Sequence, residues 1–158
     1  MRVGIGYDSH RFSAGRRLFL GGIEVPSDYG LLGHSDADVL LHAIGDALLG
    51  AIGEGDLGIH FPDTDPAFKD ISSVKLLARI GILVKEKGYT VNNIDATVIL
   101  ERPRLKEYIP QMVSVIARVF RIGNERVNIK ATTNERMGFI GRGEGIAALS
   151  VATVQSLS

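Results

Sequence analysis

The chain has 158 residues, a length that suits one domain with a single core; such a domain buries roughly two-thirds of its unfolded surface. Its 18 Lys and Arg balance 18 Asp and Glu, so no basic excess marks it for general nucleic-acid binding. It has no cysteine, which excludes disulfides and thiolate metal sites and leaves His, Asp and Glu as metal ligands. No stretch approaches the roughly 18 apolar residues of a membrane span, and the segment from Met1 to Asp8 lacks the apolar core of a signal peptide. The expectation is a protein with no membrane segment that works in the cytoplasm, or the mature form of a processed chain.

Taken in order, Val3 to His10 alternates and reads as a strand. Arg17 to Leu20 and Ile23 to Val25 flank Gly21-Gly22 and predict a hairpin, followed by a loop from Tyr29 to Ser35. Ser35 or Asp36 is placed to cap a helix from about Ala37 to about Ala51, where Val39, Leu40, Ala43, Ile44, Ala47 and Leu48 carry a helical period. Gly53, Gly55 and Gly58 open a loop that continues through Phe61-Pro62-Asp63-Thr64-Asp65-Pro66. Ser72 or Ser73 starts a second helix ending near Gly88. Thr90 to Leu100 is a strand rich in Val, Ile and Thr, stopped by Pro103. Pro110 to Arg121 predicts a third helix, and Arg126 to Thr133 and Gly145 to Leu157 two more strands. This order predicts an α+β fold in one domain over 1–158: a mixed sheet with helices on one face, its other face covered by identical subunits.

Asp8 and His10 are two apart on a strand and share a face. His42 lies mid-helix, with Asp38 four residues before it and Asp46 four after. One carboxylate and two imidazoles make a three-ligand set for catalytic zinc with the fourth position open, and Asp38 or Asp46 would orient the second ring nitrogen of His42. Taken singly, the same residues also fit a structural Asp-x-His and a solvated helix face. His34-Ser35-Asp36-Ala37-Asp38 at a helix start reads either as an anion site, with His34 and Ser35 adding donors to backbone amides, or as a simple cap. Acids between Gly55 and Pro66 suit sugar or polyol hydroxyls, or Asx turns. Lys130 to Glu135 ends a strand in groups that suit phosphate and a hard cation, Glu135 above all, or forms an ordinary polar turn. Gly138, Gly141, Gly143 and Gly145 precede a β-rich segment, which excludes a dinucleotide loop and predicts a turn or bulge.

Six segments in order resemble one family: Gly6-Tyr7-Asp8-Ser9-His10; Gly33 to Asp38 with His42; Gly55 to Gly58 with Phe61 to Pro66; Arg102-Pro103-Arg104-Leu105; Lys130 to Glu135; and Gly138 to Gly145. The sequence resembles the 2-C-methyl-D-erythritol 2,4-cyclodiphosphate synthase family of the non-mevalonate isoprenoid pathway. The resemblance implies zinc on Asp8, His10 and His42, one ion per subunit. It implies phosphate contacts from His34 and Ser35, ribose contacts from Asp56 and Gly58, and a methylerythritol site from Phe61 to Asp65, with Asp63 and Asp65 among its residues. A cytidine diphosphate pocket would run from Leu100 to Lys106, including Pro103 and Arg104, and take in Thr132 and Thr133. Glu135 would hold magnesium or manganese on the diphosphate, and Phe139 and Arg142 are implied as further substrate-binding residues. Tyr7, Ser9, Arg104 and Arg136-Met137 depart from the commoner residues of the family but remove no implied ligand.

The implied reaction is attack of the 2-phosphate of a cytidylyl substrate on its own β-phosphorus, with CMP released. His34 and Thr133 would stabilise developing charge, and no protein nucleophile is needed. The implied assembly is a homotrimer of ferredoxin-like subunits around their sheets. Its sites lie between subunits, and an isoprenoid diphosphate is a further candidate ligand at the axis. A zinc-dependent phosphoesterase and a non-catalytic nucleotide- or isoprenoid-binding module are the competing expectations.

Overall fold

The computed structural model describes residues 1–157. The chain runs β1 (Arg2–Ser13), β2 (Leu18–Leu20), β3 (Ile23–Val25), β4 (Gly30–Leu31), α1 (Val39–Ile52), α2 (Leu57–His60), α3 (Ser73–Glu86), β5 (Tyr89–Ile99), α4 (Ile109–Phe120), β6 (Val127–Thr132), α5 (Gly138–Gly141) and β7 (Gly145–Ser156). Single 3₁₀ turns lie at Pro66–Phe68 and Asn124–Arg126. Five strands form one mixed sheet in the order β4-β1-β7-β5-β6, and β2 and β3 pair as a separate hairpin. Only β5 and β6 are parallel; α4 lies between them in the chain and supplies the crossover that a parallel pair needs.

Alternation along β1 sets the layers. Gly4, Gly6, Asp8 and His10 share one face, and Val3, Ile5 and Tyr7 the other, where they stand 65%, 67% and 55% exposed. The first face is covered by α1, whose side chains are buried on nearly every side, as suits a helix enclosed between layers. Gly4 and Gly6 allow that approach. A Cβ at Gly6 would lie 1.9 Å from the carbonyl oxygen of Ala43, and one at Gly4 equally close to that of Ala47. The amphipathic α3 packs against α1 through Leu76, Leu77, Ile80 and Val84, and α4 completes the layer with Met112, Ile116 and Phe120. Each buried Leu or Ile of this core contributes roughly 1.5–3 kcal/mol. On the uncovered face Leu149 and Val151 of β7 extend the apolar patch of β1, while Asp95, Asn128 and Lys130 make β5 and β6 polar.

Three local expectations are corrected. Helix α1 starts at Val39 and is capped by Asp38, not Ser35 or Asp36. Ala37 has a φ of 58°, and this left-handed residue keeps the segment before it from joining the helix. A short strand, Gly30–Leu31, occupies part of the expected loop and pairs with Phe12 and Ser13. Gly138 to Gly141 forms a single helical turn instead of a plain turn or bulge. Among the described residues no helix is long and apolar enough to cross a membrane.

Candidate metal centre and adjoining clefts

Asp8 and His10 descend from β1 and His42 from α1, and their ligand atoms meet. Asp8 Oδ2 lies 2.8 Å from His10 Nε2 and 3.1 Å from His42 Nδ1, and the two imidazole nitrogens are 3.2 Å apart. Among the described residues this is the one group of three or more His, Asp or Glu side chains whose ligand atoms converge. Ligands held 2.0–2.2 Å from a tetrahedral zinc stand roughly 3.3–3.6 Å apart, so a cation fits after a slight expansion.

Each ring turns one nitrogen to the cluster and the other away from it. His10 Nδ1 faces the Leu32 carbonyl at 2.9 Å and must donate to it, which leaves Nε2 to face the cluster. Nε2 of His42 faces Ser73 Oγ at 2.9 Å and Ser35 Oγ at 3.2 Å, which leaves Nδ1. Burial alone would raise the Asp8 carboxyl, but its hydrogen bond with His10 and the His42 ring beside it outweigh that and hold the group at about 2. Burial likewise opposes charge on His10, yet its bond to Asp8 outweighs this and raises its pKa above 6.5. The centre is thus a carboxylate with two imidazoles turned towards it, an arrangement that takes up positive charge.

The segment before α1 frames this centre. Ser35 Oγ accepts from Ala37 N, Asp36 Oδ1 accepts from Asp38 N, and Arg16 donates to the carbonyls of Gly33 and Ser35 at 3.1 and 2.8 Å. Asp38, fully buried, accepts from the amides of Gly21, Gly22 and Leu41 at 3.0, 2.7 and 3.1 Å. Burial, with Asp36 beside it, pushes its carboxyl up to about 7 against the pull of those donors. Asp38 thus caps the start of α1 through the Leu41 amide, in line with the simple-cap reading of this segment. Neither Asp38 nor Asp46 touches His42 Nε2: Asp46 accepts from Leu57 N at 2.8 Å, and Ser73 takes the place expected of them.

Beside the centre lies a cleft of about 240 Å³ lined by His10, His34, Ser35, His42, Phe61 and Asp63, among others. His34 Nε2 is 3.0 Å from the Asp65 carbonyl, and Phe61 stacks edge-on against Phe68. Asp65 caps the Pro66–Phe68 turn through Ala67 N, and Asp56 caps α2 through Ile59 N, with Gly58 close beside it. His60 points away from the cluster, its Nε2 2.7 Å from the Glu54 carbonyl.

A second group gathers elsewhere. Leu100, Pro103, Arg104, Lys106, Thr132 and Thr133 line a cleft of about 260 Å³. It adjoins a larger one of about 660 Å³, where Arg136 and Gly141 join Thr133 and Arg104. Glu101 ties the two loops together: its Oε1 accepts from the amides of Asn134 and Arg136 at 3.0 and 3.1 Å. Between those residues Glu135 sits at a φ of 51° with its amide bonded to Thr133 Oγ1. Phe139 lies on α5, 42% exposed. Arg142, at the end of α5, pairs with Glu144 at 2.9 Å. Ser9, Ala147, Ile99 and Thr132 stand in one row across the sheet. Three strand spacings, about 14 Å, therefore separate the β1 and β6 ends of that row, and the metal cleft and the Thr132 cleft share no lining residue.

Sequence reasoning missed Arg16, Glu101 and the contact of Ser73 with His42. Each acts across many residues of chain and carries no local pattern.

Fold and site define a class: an α+β chain with a three-ligand Asp-His-His metal centre beside an open polar cleft. The chain belongs to the YgbB family, which matches residues 1–155. It is 60% identical over 155 residues to the 2-C-methyl-D-erythritol 2,4-cyclodiphosphate synthase of Syntrophus aciditrophicus, covering 98% of both chains. Among solved structures it matches the bifunctional IspDF of Campylobacter jejuni with a TM-score of 0.96 and 43% identity, covering 99% of this chain and 42% of that longer one. It matches a CDP-bound 2C-methyl-D-erythritol-2,4-cyclodiphosphate synthase with a TM-score of 0.89 and 35% identity, covering 98% and 100% of the two chains.

Proposed function

We propose that this chain, as one catalytic domain over residues 1–158, converts 4-diphosphocytidyl-2-C-methyl-D-erythritol 2-phosphate to 2-C-methyl-D-erythritol 2,4-cyclodiphosphate and CMP. The observation that carries the reading is the meeting of Asp8, His10 and His42 beside the His34–Ser35 cleft, in a chain so similar to synthases of that name. An oxygen of the 2-phosphate attacks the β-phosphorus; the bond from that phosphorus to the bridging oxygen breaks, and the bridging oxygen leaves on CMP.

Both reacting groups are anions, so the chain's work is to orient them and offset their repulsion. Asp8, His10 and His42 would hold zinc, and Glu135 magnesium or manganese alongside the substrate's own phosphates. Bound there, the ions supply positive charge at the phosphates. His34 and Ser35 direct the phosphate, and Phe61, Asp63 and Asp65 enclose the methylerythritol. Asp56 and Gly58 meet the ribose. Leu100, Pro103, Arg104, Lys106 and Thr132 hold the cytidine diphosphate, and Thr133 stabilises charge at the reacting phosphorus.

The separation of the two clefts supports a site shared between subunits. The exposed apolar face of Val3, Ile5, Tyr7, Leu149 and Val151 supports a trimer of ferredoxin-like subunits closed around that face. At its axis Phe139 and Arg142 would meet an isoprenoid diphosphate. The reading also places the protein in the cytoplasm, without nucleic-acid or membrane partners. Incubation with both metals and the cytidylyl substrate, followed by phosphorus NMR, tests the reaction. A cyclic diphosphate with equimolar CMP supports it; hydrolysis products alone would favour a phosphoesterase.

A further inference from the structure

We propose that Asp36 and Ser73 are positioning residues for the metal centre, the Asp36 carboxylate acting through the Ser73 hydroxyl to fix His42 in the tautomer that offers Nδ1 as a ligand. The inference rests on reading Asp8, His10 and His42 as the metal ligands.

A neutral imidazole carries one ring proton, and only the bare nitrogen can ligate. His42 Nδ1 faces Asp8 and His10, and Nε2 faces two hydroxyls. Hydroxyls donate or accept, so neither decides the tautomer unless its own proton is committed. The proton of Ser73 is committed. Its Oγ also bonds Asp36 Oδ1, and a carboxylate oxygen can only accept. The hydroxyl therefore donates to Asp36, and its lone pair receives the proton on His42 Nε2. Nδ1 is left bare, turned to the cluster: of the two ring nitrogens facing Asp8 Oδ2, His10 Nε2 is the nearer at 2.8 Å against 3.1 Å for His42 Nδ1, and it supplies the proton that the carboxylate accepts.

The carboxylate is itself locked. Asp36 Oδ1 also accepts from Asp38 N at 3.1 Å, and Oδ2 accepts from Ser73 N at 2.9 Å. Ser73 is 1% exposed, so water does not substitute for it. Backbone bonds from Asp36 N to the Ile71 carbonyl and from Asp70 N to the His34 carbonyl hold the two segments together. Ser35 does not share the role. Its Oγ accepts from Ala37 N and its proton is uncommitted, so it suits either tautomer.

Asp36→Asn probes the direction of the chain. The amide must present NH₂ to one of the donors now facing the carboxylate. If it faces Ser73 Oγ, that hydroxyl becomes the acceptor and turns its proton to His42 Nε2, which moves the ring proton to Nδ1. Ser73→Ala removes the link and leaves Nε2 to Ser35 alone.

Zinc affinity of the full-length chain is measured by competition with a chelating dye, and the His42 ring nitrogens are read by ¹⁵N NMR in the metal-free protein. Both variants are expected to bind zinc about 10- to 100-fold more weakly. The proton should sit on Nε2 in the unsubstituted chain and appear on Nδ1, wholly or in part, in Asp36→Asn. A purely structural role would lower the melting temperature without moving the ring proton. Zinc affinity within twofold of the unsubstituted chain in both variants, with Nε2 still protonated, would overturn the proposal. If Asp36→Asn does not fold, the affinity of Ser73→Ala decides alone. An unsubstituted chain that bound no zinc would overturn the metal centre and the relay with it.

Discussion

Gly6 of β1 lies so close to Ala43 of α1 that a methyl group on Gly6 would stand 1.9 Å from the Ala43 carbonyl oxygen. That contact sets the height of α1 above the sheet and so lets His42 reach Asp8 and His10. Gly6→Ala must push helix and strand apart and is expected to cost about 1–3 kcal/mol, with weaker zinc binding. A Cβ at Gly50, at the far end of α1, would meet only the Ile5 carbonyl oxygen, at an ordinary contact distance of 3.9 Å, so Gly50→Ala should stabilise by about 0.5–1 kcal/mol. Denaturant melts of the two variants check both signs.

His42→Ala is expected to abolish zinc binding and activity, whereas His60→Ala, whose ring bonds the Glu54 carbonyl and lies beside Phe61 outside the cluster, should keep both. Metal analysis after gel filtration reads the difference. Stoichiometric zinc retained by His42→Ala would refute the ligand assignment.

Proton and metal compete for His10, so zinc affinity should rise as pH climbs through the raised His10 pKa, above 6.5. The metal-free chain behaves oppositely. The contribution of His10 is fully present below pH 6.5 and fades as pH rises through its folded pKa. That of Asp8 is present above 3.8 and fades as pH falls towards about 2. From these two groups, melting with a chelator present should show greatest stability between pH 3.8 and 6.5. Stability still climbing above pH 6.5 would contradict the Asp8–His10 pair.

Glu101 fixes the loop that carries Thr133 and Glu135 by accepting from the amides of Asn134 and Arg136. Glu101→Ala leaves both donors unpaired and is expected to weaken CDP binding about tenfold. Glu101→Gln, which keeps one accepting oxygen, should recover most of it. Calorimetry that ranks Gln with Ala would show that the hydrogen bonds are not what matters.

Much of the scaffold was legible in the sequence because it rests on periodicity. The apolar repeat of Leu40, Ile44 and Leu48 marks α1, and the spacing of Asp8 and His10 puts both on one face. The start of α1 is ambiguous in the sequence because Ser35, Asp36 and Asp38 are all good caps, and only the left-handed Ala37 decides among them. Ser73 looked like one of two possible helix starts. Its contact with His42 spans 31 residues of chain and follows from how α3 docks, which no local pattern encodes. Glu101 was hidden for the same reason: its partners lie 33 and 35 residues further on.

In the proposed reaction one phosphate of the substrate attacks another and water takes no part. Running the reaction in H₂¹⁸O with zinc and magnesium tests this directly. Intramolecular attack on the β-phosphorus predicts that neither CMP nor the cyclic diphosphate gains ¹⁸O. One ¹⁸O in CMP or in a linear methylerythritol phosphate, formed at the rate of substrate loss, would show hydrolysis and rule out intramolecular attack.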